Sequence, residues 1–415
     1  MPTHANPHAS RYRWTMLAAL WFTYFCFGMV NGSLAPLITR IGADLGLSRS
    51  ALGLVMGAWA LVYIGAAMPS GAAVDRFGTR VGLATGVFLV AASALARSMA
   101  VDFWTLFLAV ALFGLGGPVI SVGAPKVIAQ WFSGKERGTA MGIYMTGPYL
   151  GTAFSFATAN SIFMPLFHDS WRMTIGAFGV LAILAGLTWS FLAREPAVDR
   201  DAPAPLGPKS AGGVKAFSEL LRVELVRTIL LITLAAFMFS HGMMAWLPAI
   251  LGARGFDPAA AGLWASVPTL VGVASALVIP RYATPERRID ILATLYGCLV
   301  IATLLLAFTS GAGLVLGLVL LGIARIIGTV MILILMEAPR VGAGNMGAAT
   351  GLYFTIGEVG GVIGPTLLGA VADVTGSFIA SILTLNVLAI FLLCMIVPLR
   401  RARARARTGE PPQGR

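Results

Sequence analysis

The sequence predicts an all-α membrane protein, with twelve transmembrane helices in two pseudo-symmetric six-helix halves. Three observations carry this. First, 58% of the 415 residues are hydrophobic, only 11% are charged and the mean hydropathy is +0.85. A soluble domain has about 25% charged residues, so this chain cannot wet a globular surface. Second, twelve runs are long and apolar enough for a bilayer-crossing helix, which needs about 20 such residues. Third, the two halves repeat each other. The composition excludes a soluble enzyme, a nucleic-acid binder and a disordered protein. Cys26, Cys298 and Cys394 lie inside apolar runs with no metal-ligand spacing, so they read as core residues.

The runs follow in order. The first, 14–39, lacks a small-residue cleavage site before it and exceeds a signal-peptide core, so it stays as an anchor. The second, 51–74, and third, 81–99, are joined by a short charged loop; the fourth, 103–129, ends in Ala124-Pro-Lys-Val. The fifth, 139–165, is rich in glycine, and the sixth, 172–193, closes a first half of residues 1–193. Residues 194–224 are rich in proline and charge and read as a linker. A second half, 225–398, holds runs at 226–250, 259–280, 290–309, 311–337, 345–373 and 376–398, followed by a basic tail, 399–415.

Lys and Arg placement sets the orientation. With both termini cytoplasmic, 22 of the 29 basic residues fall inside and five (Arg40, Arg49, Arg97, Arg172 and Arg254) fall outside. The net charge of +12 therefore reports topology, and the arginine-rich tail is expected against anionic lipid headgroups. The expected location is the inner (plasma) membrane of the cell, as a monomer.

At an offset of 209, Gly138/Gly347, Ala140/Ala349, Gly142/Gly351, Tyr144/Tyr353, Thr146/Thr355 and Gly151/Gly360 are identical. Phe25-Cys-Phe-Gly and Phe237-Met-Phe-Ser echo each other at an offset of 212, and Ala124-Pro-Lys-Val matches Ala338-Pro-Arg-Val. Three helix pairs in one order imply two parallel halves about an axis along the membrane normal, with a site between them.

The loop after the second run reads Gly71-Ala-Ala-Val-Asp75-Arg76-Phe-Gly78-Thr-Arg80. It resembles the G-x-x-x-D-R-x-G-R signature of the major facilitator superfamily, with Thr79 where the family usually has Arg. The resemblance spans essentially the whole chain. It implies alternating access, with Asp75, Arg76, Gly78 and Arg80 in a loop that latches one conformational state. The matching loop of the second half, 280–288, is degenerate. Ala124-Pro-Lys-Val through Gly138 looks like the corresponding loop of anion importers of the cyanate, monocarboxylate and organic-anion groups. Gly147-Pro-Tyr-Leu-Gly151-Thr152 partly matches an exporter signature, but such pairs bend and pack helices whatever the direction of transport.

Ionisable groups at membrane depth are functional candidates. Three fall mid-run: Arg325 on the tenth, Glu358 on the eleventh and His241 on the seventh. Arg325 is the candidate counter-charge for the substrate, its planar fork suiting a carboxylate or cyanate-like anion; the alternative is a structural pair with Glu358. Glu358 is the candidate proton carrier, able to pair with Arg325 when ionised. His241 is a candidate substrate contact or proton relay, against a plain helix–helix hydrogen bond. Asn31, Tyr24, Tyr144, Trp246 and Tyr353 are candidate cavity residues. Lys126, nearer the cytoplasmic end and matching Arg340 across the repeat, is a candidate gate residue.

Nitrate porters of the family carry an arginine on the second and eighth spans, where this chain has none, so nitrate is disfavoured; one mid-span arginine favours a monovalent anion over a dianion. No catalytic constellation, metal-ligand set, cofactor motif or ATP-binding loop is present, so an ion gradient or substrate exchange must drive any movement. The expected function is a proton-coupled symporter of a small organic or cyanate-like anion. The alternative is a proton-coupled exporter of drug-like compounds or metabolites. A receptor or channel fits the repeat and the loop signature less well.

Overall fold

In the computed structural model, residues 7–194, 214–339 and 341–408 are described; Arg340 and most of the expected linker lie outside them. The described residues form helices and no strand. Helix α1 (Pro7–Gly32) is followed by a 3-10 turn (Ala35–Leu37) and α2 (Ile38–Leu45), which ends on the left-handed Gly46. Helix α3 (Arg49–Ser98) is interrupted at Gly78 (φ 81°, ψ 166°), a conformation open to glycine, so this residue separates the second span from the third. Helix α4 (Phe103–Trp131) begins at a capping box in which Asp102 accepts from the Thr105 backbone N–H. Helix α5 (Gly134–Thr158) passes into a π turn (Ala159–Phe163) and the short α6 (Met164–Leu166), and α7 (Trp171–Leu192) completes the first half.

Helix α8 (Val214–Leu221) lies within the expected linker and packs on the eleventh span. Helices α9 (Glu224–Ala253), α10 (Pro258–Val278) and α11 (Arg288–Phe308) follow. The tenth span is broken into α12 (Ala312–Ala324) and α13 (Ile327–Leu335). Then come α14 (Gly342–Thr375), α15 (Phe378–Cys394) and a tail helix, α16 (Ile396–Thr408).

Among the described residues, eleven helical stretches are long and apolar enough to cross a bilayer, two of them within α3. Helix α5, the expected fifth span, is 25 residues long but is not among the eleven, because glycine, threonine and tyrosine dilute its apolarity. Large apolar side chains such as Leu108, Phe191 and Val387 are exposed, as on helices whose outer faces meet lipid.

The chain divides into two units. One comprises residues 1–47, 58–200 and 251–266; the other comprises 48–57, 201–250 and 267–415. In the first, α1 and α5 pack backbone to backbone. A Cβ on Gly28 would strike Pro148, and one on Gly151 would strike the Phe25 carbonyl. The Gly-Pro pair of α5 therefore serves close helix approach. In the second, a Cβ on Gly360 would strike the Leu234 carbonyl and lie 3.0 Å from the Met238 nitrogen, as one on Gly151 lies 2.8 Å from Met29. These contacts relate spans one and seven at the same offset of 209 that relates spans five and eleven. The echo of Phe25 and Phe237 at 212 is one helical turn out of register. The offset also holds elsewhere: Gly53 meets Pro365 within the second unit, and Gly262 meets Phe156 within the first.

Two placements differ from the sequence expectation. Arg97, expected in an outer loop, is 1% exposed and donates to the Val30 carbonyl (2.9 Å) and Ser33 Oγ (3.3 Å), where α1 breaks. A cation at a helix C-terminus answers the carbonyls left over there. Three arginines of the tail, expected on lipid headgroups, pair with protein carboxylates: Arg400 with Asp290, Arg403 with Glu337 and Arg405 with Glu224. Glu337 also accepts from Arg288, so one carboxylate joins the starts and ends of several second-unit helices.

Candidate substrate and proton site

The three mid-span ionisable residues all fall in the second unit. Arg325 occupies the break between α12 and α13 rather than the middle of a continuous helix. Its φ and ψ (−61°, −18°) and those of Ile326 (−79°, −4°) close two tight turns, with Arg325 N–H donating to the Gly322 carbonyl. Breaks of this kind at membrane depth are tolerated where the freed backbone is buried in protein or lines a cavity. The side chain is half-buried and runs over Gly272 of α10, where an added Cβ would lie 2.8 Å from Arg325 Cδ. Glycine at 272 is therefore what gives the guanidinium its path.

His241 sits on α9 and Glu358 on α14. Their facing atoms, His241 Nε2 and Glu358 Oε2, are 3.9 Å apart. Glu358 is buried, and its Oε2 makes no hydrogen bond. On the other side of the ring, His241 Nδ1 lies 3.2 Å from the Phe237 carbonyl one turn earlier. The Arg325 guanidinium acts electrostatically on His241. Gly361, one turn after Glu358, leaves room for both side chains: a Cβ there would lie 2.9 Å from Oε2 and 3.0 Å from Nδ1. Glu358 and His241 thus approach each other across α14 and α9.

The aromatic candidates separate into two groups. Tyr24 and Tyr144 are both buried in the first unit, with ring centroids 5.5 Å apart; Tyr24 also stacks on Phe27 and donates to Ser121 Oγ at 3.4 Å. Asn31 is half-buried next to Gly32, the last residue of α1. In the second unit, Tyr353 packs edge-on to Phe237 and reaches the Gly328 carbonyl at 3.5 Å. Trp246 is 1% exposed, and its indole N–H donates to the Pro365 carbonyl at 2.9 Å, which makes it a staple between α9 and α14.

The loop motif is built as its residues require. Lys126 Nζ lies 2.7 Å from Asp75 Oδ1, joining α4 to the end of the second span. Arg76 is exposed with its guanidinium 5.3 Å from the Phe77 ring centre. Arg80 donates to the Ser190 carbonyl, and Trp189 donates back to the Arg80 carbonyl. Thr79 is buried and donates to Gln130.

Sequence reasoning missed Phe237, Gly272 and Gly361. Glycine one turn from Glu358 was the available signal for Gly361. The Phe237 carbonyl and the path over Gly272 have no signature, because each depends on which helix lies opposite.

Residues 20–365 match the Major Facilitator Superfamily. The chain is 25% identical over 395 residues to the hexuronate transporter of Bacillus subtilis, covering 88% of this chain and 90% of that one. It is 27% identical over 253 residues to the nitrate/nitrite transporter NrtP of a Picosynechococcus strain, covering 54% of this chain and 47% of that one. In fold it is similar to a bacterial homologue of the human lysosomal transporter Spinster, solved inward-facing and unoccupied, with a TM-score of 0.74 at 16% identity over 97% and 99% of the two chains. The loop signature, the all-helical fold and the family match agree: this chain is a member of the Major Facilitator Superfamily, a multi-pass membrane transporter and not an enzyme.

Proposed function

We propose that the protein is a symporter that carries one small monovalent organic or inorganic anion together with one proton, with both termini in the cytoplasm of the cell and residues 1–193 and 225–398 as the two rocking halves. The observation that carries this reading is the placement of Arg325, His241 and Glu358 in one unit, with the arginine at a helix break. A guanidinium at membrane depth stays charged, and a carboxylate in the same unit balances that charge in the empty site. With Glu358 ionised the set is neutral, and a bound anion would leave a net negative charge in a low-dielectric site. With Glu358 protonated the set carries one positive charge, which a monovalent anion cancels. Burying a net charge costs several kcal/mol, so the neutral combinations dominate and anion and proton travel together.

Relatives named for hexuronate and for nitrate/nitrite fit substrates of this charge. Hexuronates carry one carboxylate, which matches the bidentate geometry of an arginine. Nitrate remains a substrate to test, even though the second and eighth spans lack the arginines that nitrate porters carry.

The test is uptake of labelled glucuronate, nitrate and cyanate into proteoliposomes with an imposed pH gradient. Wild type accumulates at least one of them, with proton entry in step. Arg325→Ala abolishes the uptake. Glu358→Gln keeps anion exchange but loses gradient-driven accumulation. Unchanged uptake of every accumulated anion in Arg325→Ala overturns the reading, as does efflux of cationic dyes without any anion uptake in wild type.

A further inference from the structure

We infer that Asp373, at the end of the eleventh span, is the clasp of the face opposite the termini: it holds the start of the second span while that face is shut and releases it when the face opens. This rests on the two rocking halves of the reading above, though not on its proton. The argument begins at the first turn of α3, where the N–H groups of Arg49, Ser50 and Ala51 have no acceptor within the helix. The hydroxyl of Ser48, the residue before α3, takes one of them, accepting from Ala51 N–H at 3.2 Å. The other two donate to the two oxygens of Asp373, Arg49 N–H at 3.1 Å and Ser50 N–H at 2.7 Å, and the Ser50 hydroxyl donates there as well at 2.5 Å. In return, the Arg49 guanidinium donates to the Ala372 carbonyl at 2.7 Å, in the last turn of α14, and lies 5.2 Å from the Phe378 ring centre. Each helix therefore places a charge of the favourable sign on the end of the other.

The internal repeat shows that this cap could have been local. The contacts of Gly53 with Pro365 and of Gly262 with Phe156 relate spans two and eight at the offset of 209, which sets Ser48 against Asp257. Span eight is capped by that residue of its own: Asp257 Oδ1 accepts from Ala259 N–H at 3.0 Å and from Ala260 N–H at 2.9 Å. Span two has a serine there and draws its carboxylate from span eleven. A carboxylate from another helix satisfies the same donors as a local one, and it adds a charge-assisted joint between two spans.

The joint sits at the head of a longer seam. Residues 48–57 belong to the first half by sequence, yet they pack in the second unit. A Cβ on Gly369 would strike the Arg49 carbonyl, one on Gly53 the Pro365 carbonyl, and one on Gly57 would lie 3.0 Å from Val362 Cα. The two backbones are thus in contact from Asp373 inward to Val362, one turn beyond Glu358. Rocking of residues 1–193 against 225–398 parts this seam. Contacts between small residues are weak one by one, whereas the carboxylate concentrates three hydrogen bonds at a single point. Asp373 is also exposed, so water takes over the freed carboxylate and the freed N–H groups when the seam opens. A strong but solvated joint is what a clasp requires.

The test uses the full-length protein with Cys26, Cys298 and Cys394 replaced by alanine. Spin labels at Leu47→Cys, just before α3, and Val374→Cys, just after Asp373, report opening in lipid nanodiscs by double electron–electron resonance. Asp373→Ala raises the ratio of long to short distances about tenfold, the effect of losing one charge-assisted bond. Asp373→Asn, which keeps the shape and loses the charge, shifts it the same way and decides the matter if the alanine variant is not recovered. Asp257→Ala, which removes a cap of the same kind from span eight, leaves it unchanged. Ser48→Asp added to Asp373→Ala restores the unfolding temperature, because span two then has its own cap, but does not restore the short distance. Equal shifts in Asp257→Ala and Asp373→Ala, or no shift in Asp373→Ala and Asp373→Asn, overturn the clasp. In proteoliposomes, Ser50→Cys with Asp373→Cys, joined by a short bis-methanethiosulfonate, stops anion uptake until reduced; uptake that continues through the cross-link overturns it too. A protein that moves no anion while its label distances respond to Asp373→Ala sinks the symport reading and leaves the clasp, whereas proton-coupled uptake with distances indifferent to Asp373 does the reverse.

Discussion

Removing the Glu337 carboxylate is the most informative single perturbation of stability. Glu337 accepts from Arg288 on one oxygen and from Arg403 on the other, including a 2.8 Å bond from Arg403 Nε. The three side chains are 16%, 21% and 8% exposed for Arg288, Glu337 and Arg403. Glu337→Gln keeps the shape and removes the charge, leaving two guanidinium groups facing each other. Removing one partner of a buried pair costs about 3–5 kcal/mol. Here the loss is smaller, because Arg288 still donates to the carbonyls of Ala283 (3.0 Å) and Leu333 (2.9 Å), and Arg403 to that of Pro285. The expected cost is ~2–4 kcal/mol, allowing for these retained bonds and partial exposure. The control is Arg400→Ala, which breaks a pair whose partners are 55% and 68% exposed. That pair is worth under about 1 kcal/mol. Thermal and SDS-driven unfolding of the detergent-purified protein, followed by tryptophan fluorescence, ranks the two variants. Equal losses would refute the claim that the tail helix is held by a buried charge cluster rather than by its surface.

Other outcomes follow from the same geometry. Arg97→Lys destabilises by about 1–3 kcal/mol in the same assay, because an ammonium cannot serve the Val30 carbonyl, Ser33 and the Phe113 ring from one position. Lys126→Ala changes unfolding by less than about 1 kcal/mol, since the pair with Asp75 is largely exposed, while changing the rate of anion exchange; an unaltered rate removes it from the gate. Asp102, in the loop before α4, has its carboxyl held below the ordinary 3.8 by the Thr105 backbone N–H and hydroxyl. A depressed carboxyl stabilises above the unfolded value and loses that contribution as pH falls through the folded one. The gap in unfolding temperature between wild type and Asp102→Ala is therefore constant above pH 3.8 and closes below it; a gap unchanged by acid refutes the cap. Gly272→Ala places a methyl 2.8 Å from Arg325 Cδ and reduces anion uptake without loss of folded protein, which uptake normalised to purified protein measures.

Features of the chain that depend on local chemistry were legible in the sequence. Span positions follow from apolar run length, because a bilayer accepts only helices that satisfy their own backbone. The charged loop that carries Gly78 was read from its motif, and the helix breaks at that glycine. The mid-span ionisable groups stand out because charge at that depth is costly. What needed the tertiary structure is everything decided by which helix lies opposite. Gly-rich repetition fixed the offset of 209 for spans five and eleven but left spans one and seven a turn out, and only the Gly151 and Gly360 contacts set them right. Arg97 reads as a loop cation until α1 is seen to break beside it. Arg400, Arg403 and Arg405 read as lipid ligands until Asp290, Glu337 and Glu224 are brought to them. The partner of Glu358 likewise depended on the packing of α9 against α14. Sequence spacing reports one helix at a time, whereas the charge balance of a buried site is a property of several.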